Sequence, residues 1–142
     1  MEVNIRYQGR SKFLATARHH TILTDQPAEN GGDDAGMTPP EWFLASLGSC
    51  IGFYAAKYLQ ARNQDATGLS VDVSAQKLAH PIRLDNFEVH LTLPRPLDED
   101  YYEGLESAAE ACVVHNTLLH PPQITTEITA GYLVADPEAN LL

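Results

Sequence analysis

Between Thr38 and Asn63 the chain carries one long helical segment that is apolar on nearly every side. Its start is explicit: Thr38 is an N-cap residue, Pro39 suits the first helical position, and Glu41 stands three residues on, where a capping box places its acid. The helix is expected to run from Pro39 to about Arg62, where Asn63, Asp65 and Gly68 stop it. Leu44, Leu47, Ile51, Ala55, Tyr58 and Leu59 form one face, yet Phe43, Ser46, Cys50, Phe53 and Ala56 leave the other faces apolar or small. A helix of that kind lies inside a protein or an oligomer. It is roughly 33 Å long at about 1.5 Å per residue. That is more central helix than one chain of 142 residues readily covers. Two copies of the chain are therefore expected to cover it together.

The flanking segments alternate. Glu2 to Tyr7 and Lys12 to Ala17 predict two strands joined by the turn Gln8-Gly9-Arg10-Ser11, with a third strand from Thr21 to Asp25. Pro27 to Met37 is a loop rich in turn formers; its acids lack the alternating spacing and terminal Glu of an EF-hand. After the helix, Leu69, Val71, Val73 and Ala75 point one way on a strand, and Phe87, Val89, Leu91 and Leu93 on the next. The connection is expected around Pro81 to Asn86, with antiparallel pairing. Pro94 and Pro96 end that strand, and Asp98 caps a second helix. On it Tyr101, Leu105, Ala108 and Cys112 form one buried stripe, which carries the helix through Cys112. Ile124 to Ala130 is a last strand, and the tail from Asp136 is expected to be loose. The order β-β-β-α-β-β-α-β defines a single α+β domain with antiparallel sheets around two apolar helices.

Several function classes drop out on charge and pattern. The formal net charge is −10, with the nine basic residues scattered. A nucleic-acid surface needs them clustered, and anionic lipid repels such a chain. The N-terminus has no signal-peptide core, and the charge-free run from Trp42 to Ala56 is too short for a bilayer. The expectation is a cytoplasmic protein with no membrane partner. There is no phosphate-binding Gly-rich loop and no Gly-x-Ser-x-Gly elbow.

Chemistry then rests on the only two cysteines, Cys50 and Cys112. Three readings stand. Both can be inert packing, since free Cys often behaves as a small hydrophobe. Cys50, Cys112, His115 and His120 could hold zinc, but the spacing matches no known zinc motif, so no metal and no other cofactor is expected. The third reading is a thiol peroxidase, in which one cysteine forms a sulfenic acid and the other condenses with it. In a reducing compartment a Cys50–Cys112 bond would be transient and catalytic rather than structural. That reaction needs a cation to hold the first thiolate, because Cys50 lies about three turns into its helix, beyond reach of the dipole. Between His19 and Ala56 there is no Arg or Lys. Arg10 is the first candidate and Arg18 the second.

The stretch Gly36-Met37-Thr38-Pro39-Pro40-Glu41-Trp42-Phe43-Leu44-Ala45-Ser46-Leu47-Gly48-Ser49-Cys50 resembles the segment around the first cysteine of the OsmC/Ohr family (osmotically inducible and organic hydroperoxide resistance proteins). Cys112-Val113-Val114-His115-Asn116-Thr117-Leu118 resembles the segment around that family's second cysteine. The resemblance runs from about Val3 to Ala130. It implies an intertwined homodimer and reduction of organic hydroperoxides, with Cys50 matching the peroxidatic cysteine and Cys112 the resolving one. Gly9-Arg10 is similar to the family's Gly-Arg turn, whose Arg holds the thiolate. In the family a Glu directly after the helix-starting Pro orients that Arg. Here Pro40 fills the position and Glu41 comes one residue later, so Glu41 stands either as Arg-positioner or as capping-box residue. The loop from Thr24 to Thr38, from which the OsmC branch takes its Arg, holds none. The chain is similar to a divergent OsmC-like branch.

The expected site therefore comprises Cys50, Cys112, Arg10 and Glu41. Trp42, Phe43, Leu47 and Tyr54 are expected to line an apolar substrate pocket that favours an organic hydroperoxide, with a separate thiol as reductant. The rival is a non-catalytic dimer that binds a small apolar ligand or senses oxidation.

Overall fold

The computed structural model describes residues 1–131. Its elements are β1 (Asn4–Tyr7), β2 (Phe13–Ala17), β3 (His20–Thr24), α1 (Pro39–Gln60), β4 (Ser70–Ala79), β5 (Ile82–Thr92), α2 (Tyr102–Glu110) and α3 (Val113–Leu119), with short 3-10 turns at Ala28–Asn30 and Glu99–Tyr101. The strands form two antiparallel sheets, β1-β2-β3 and β4-β5. This is the mixed α+β arrangement expected from the residue pattern. The loose tail expected from Asp136 lies outside the described residues.

The α1 start follows from its capping box. The Thr38 side chain accepts from the Glu41 N–H, and the Glu41 carboxylate accepts from the Thr38 N–H at 2.7 Å. Leu47, Ile51, Ala55 and Leu59 bury one i, i+4 stripe of the helix in its own chain. Each such leucine or isoleucine contributes about 1.5–3 kcal/mol on leaving water. The helix settles onto β4 at Gly48, where an added Cβ would stand 2.9 Å from a Val73 methyl. α2 crosses α1 at Gly104, whose missing side chain leaves room for the Tyr58 ring. That ring's hydroxyl donates to the Tyr101 carbonyl at 3.1 Å.

Three expectations need correction. The β4–β5 hairpin is longer than alternation suggested: Ala79 pairs with Ile82, so His80-Pro81, joined by a cis peptide bond, is the whole turn. The helix expected to run through Cys112 ends at Glu110, and Cys112, in extended conformation, caps a separate helix α3. Ile124 to Ala130 pairs with no strand among the described residues, and Ile124 and Ile128 are 89% and 96% exposed. The segment joins neither sheet among the described residues.

The β1-β2-β3 sheet stands largely apart from the helical layer. Tyr7 faces Phe13, Ile5 faces Ala15 and Ala15 faces Ile22, so these side chains share one face. Ile5, Tyr7, Phe13 and Ile22 are all exposed there. On the far side of α1, Phe53 is 61% exposed.

Candidate functional site

Cys50 sits one residue before the buried Ile51 and is half-buried against the cluster of Leu47, Ile51 and Cys112. Cys112 arrives from the opposite direction, at the N-cap of α3, with none of its surface exposed. The two thiols pack against each other in this cluster and both are free. Burial pushes the Cys112 thiol up, and the neighbouring Cys50 thiol pushes it further. The backbone N–H groups of His115 and Val114 pull the other way, the first donating to the Cys112 Sγ at 3.4 Å. The net effect sets a thiol raised above its ordinary value beside Cys50.

The remaining expected residues fall into separate groups. Leu47 lines a cavity of about 900 Å³ between β5, α2 and α3, together with Phe87, Leu91 and Leu118; Glu106, Glu110 and His115 are among its polar lining residues. Phe43 meets Phe87 edge-on, with ring centroids 6.0 Å apart. Tyr54 packs against the Cys112 cluster and against Phe53. The Trp42 indole N–H is buried without an acceptor among the described residues. Glu41 lies on a shallower groove of about 320 Å³ with Leu44, Gly48, Val71 and Val73. The Thr38 backbone N–H, then its hydroxyl, holds the Glu41 carboxyl below the usual carboxylate range. Within one chain Glu41 serves the helix cap, and no arginine contacts it among the described residues.

Arg10 belongs to a cluster that sequence inspection missed. It sits at positive φ in the β1–β2 turn and is paired with Asp33, which also binds Lys12 at 2.5 Å. Beneath them Asp25 is fully buried, accepting from the Ser11 hydroxyl at 2.6 Å and from the Asp33 and Ala35 N–H groups at 3.0 and 3.1 Å. The Ser11 hydroxyl leads in holding its carboxyl well below the usual range, with burial opposing. These bonds tie the turn carrying Arg10 to the loop before α1. Arg18 is exposed at the β2–β3 tip, also at positive φ. The Arg10 cluster and the thiol pair are distinct within a single chain. Asp33 lies 23 residues from Arg10 in sequence, and no local pattern announces that pairing.

Residues 31–127 match the model of the OsmC-like protein family. The chain belongs to that family. No curated protein sequence matches it. Among solved structures, a proposed osmotic stress induced and detoxification response protein from Psychrobacter arcticus 273-4 is similar at 23% identity and a TM-score of 0.75, over 81% of this chain and 85% of that one. An OsmC-like protein from Mycoplasma pneumoniae gives 19% and 0.72, over 83% and 86%. An organic hydroperoxide resistance protein from Elizabethkingia anophelis gives 16% and 0.60, over 82% and 87%. At these identities the likeness is one of fold. Among the described residues no three His, Cys, Asp or Glu side chains are grouped to hold a metal ion, and no helix is long and apolar enough to cross a membrane.

Proposed function

We propose that the chain acts as a homodimeric, thiol-dependent peroxidase that reduces organic hydroperoxides in the cytoplasm. The observation that carries this reading is the contact between Cys50, half-buried on α1, and the fully buried Cys112. The Cys50 thiolate attacks the outer oxygen of the hydroperoxide, the O–O bond breaks, and the alkoxide leaves with a proton as an alcohol. Cys50 is then a sulfenic acid. Cys112 gives up its proton and attacks that sulfur, forming the Cys50–Cys112 disulfide and releasing water. A thiol reductant of the cell returns both cysteines. The apolar lining around Leu47 and Phe87 suits an organic substituent on the peroxide.

A second copy of the chain is the proposed partner. Support comes from the apolar face of the β1-β2-β3 sheet and from Phe53, which the single chain leaves exposed. The proposed thiolate cation is Arg10, presented by the turn that Asp25 and Asp33 fix to the loop before α1. The alternative, a non-catalytic dimer with an apolar ligand, draws on the cavity of about 900 Å³. It also draws on the engagement of Glu41 by Thr38 and of Arg10 by Asp33. Stopped-flow oxidation by cumene hydroperoxide separates the two. The peroxidase reading expects rapid oxidation of the reduced protein and at least a tenfold slower reaction in Arg10→Ala, on the order of 1.4 kcal/mol in barrier. Oxidation no faster than that of a free thiol favours the alternative.

A further inference from the structure

The break between α2 and α3 delivers Cys112 to Cys50, and nothing in the local backbone chemistry forces it. Ala108-Ala109-Glu110-Ala111-Cys112-Val113-Val114 holds no Gly and no Pro, and its alanines and Glu110 are good helix formers. Such a segment should continue the helix, yet Cys112 has φ −58° and ψ 126°. Its Sγ turns back over the first turn of α3 to accept the His115 N–H. One side chain spans the break. The Asn116 amide donates to the Glu110 carbonyl at 2.9 Å and to the Cys112 carbonyl at 3.0 Å. The first of these is a terminal carbonyl of α2, a group that helix ends leave without an intrahelical partner. The second belongs to the α3 cap itself, whose carbonyl also accepts the Asn116 N–H at 2.9 Å.

We infer that Asn116 is a positioning residue for the disulfide step. By clamping Glu110 and Cys112 across the helix break, it presents the Cys112 sulfur to Cys50. The inference deepens the peroxidase reading, on whose pairing of Cys50 with Cys112 it rests. Its test uses a different reaction, so the two can fail separately. The reduced full-length protein is equilibrated with glutathione and glutathione disulfide. One glutathione disulfide takes two electrons and two protons from the thiols, leaving the Cys50–Cys112 disulfide and two glutathiones. The equilibrium constant reports how well the two sulfurs are held for bonding.

The expected result for Asn116→Ala is at least a tenfold fall in that constant, with the rate of Cys50 alkylation by iodoacetamide within about twofold of wild type. A merely structural loss would lower the melting temperature without changing this constant selectively. Asn116→Ser, whose hydroxyl can still donate to the carbonyl four residues back, should recover part of the loss and keeps the test decisive if the alanine variant does not fold. Constants within twofold of wild type in the folded variants overturn the inference. Failure of the wild-type protein to react with hydroperoxide overturns the peroxidase reading alone.

Discussion

The Cys112 thiol meets Cys50 from the cap of α3, fully buried, while Cys50 itself stays half-buried on α1. The asymmetry in access assigns different fates to the two sulfurs. Cys50→Ser should show no hydroperoxide-dependent chemistry. Cys112→Ser should complete the first oxidation and stall as a Cys50 sulfenic acid, open to overoxidation. Labelling with dimedone after one equivalent of peroxide checks this: Cys112→Ser should label and Cys50→Ser should not. The reverse pattern would exchange the roles.

Asp25 makes stability depend on acid. Its carboxyl titrates well below the usual range in the folded chain, led by the Ser11 hydroxyl, whereas unfolded Asp binds a proton near pH 3.9. The unfolded state therefore binds more protons in acid, so this contribution is complete above about pH 4 and is lost as pH falls from there toward the folded value. Asp25→Asn removes the charge; its amide oxygen can still accept from the N–H groups of Asp33 and Ala35, with the NH2 toward the Ser11 hydroxyl. At pH 7 the variant should melt several degrees below wild type, and the gap should close in thermal melts run progressively below pH 4. A gap that stays constant with pH would mean the carboxylate charge is not the cause.

Gly104 is where α2 can approach α1. A Cβ there would overlap the Tyr58 hydroxyl and ring, displacing the group that donates to the Tyr101 carbonyl. Gly104→Ala should cost about 1–3 kcal/mol, as overpacking does. Urea unfolding with an unchanged slope measures it. Stability at or above wild type would show that Tyr58 can move at no cost.

The dimer proposed from the apolar α1 gains support from the exposed Ile5, Tyr7, Phe13 and Ile22. An exposed apolar face of this kind favours association. Light scattering at micromolar concentration should return twice the 15.6 kDa chain mass. Ile5→Glu should shift it toward a single chain without unfolding α1, since that sheet lies apart from the helical layer. A wild-type monomer would remove the dimer from the account.

What was legible in the sequence was local. Thr38, Pro39 and Glu41 announced the start of α1 because capping chemistry involves neighbours three residues apart. The strand alternation around Val71, Val73, Val89 and Leu91 announced the β4–β5 pair. The helix break at Cys112 was hidden, because no Gly or Pro marks it and the side chain that bridges it, Asn116, comes from the next helix. The Arg10–Asp33 pair was hidden by sequence separation. Ile124 to Ala130 has a strand pattern but no partner strand among the described residues, and alternation alone does not say where a partner comes from. At the site, sequence singled out both cysteines and Leu47. It did not single out Phe87 or Asn116, because packing between elements brings them there.

The most direct measurement is a count of thiols in the fully reduced protein after one equivalent of cumene hydroperoxide, followed by non-reducing mass analysis. Loss of both thiols, with the chain lighter by two hydrogens and no covalent dimer, is the predicted result, since Cys50 and Cys112 are the only cysteines. Two thiols surviving prolonged exposure in the folded protein would contradict it and return the Cys50–Cys112 contact to core packing.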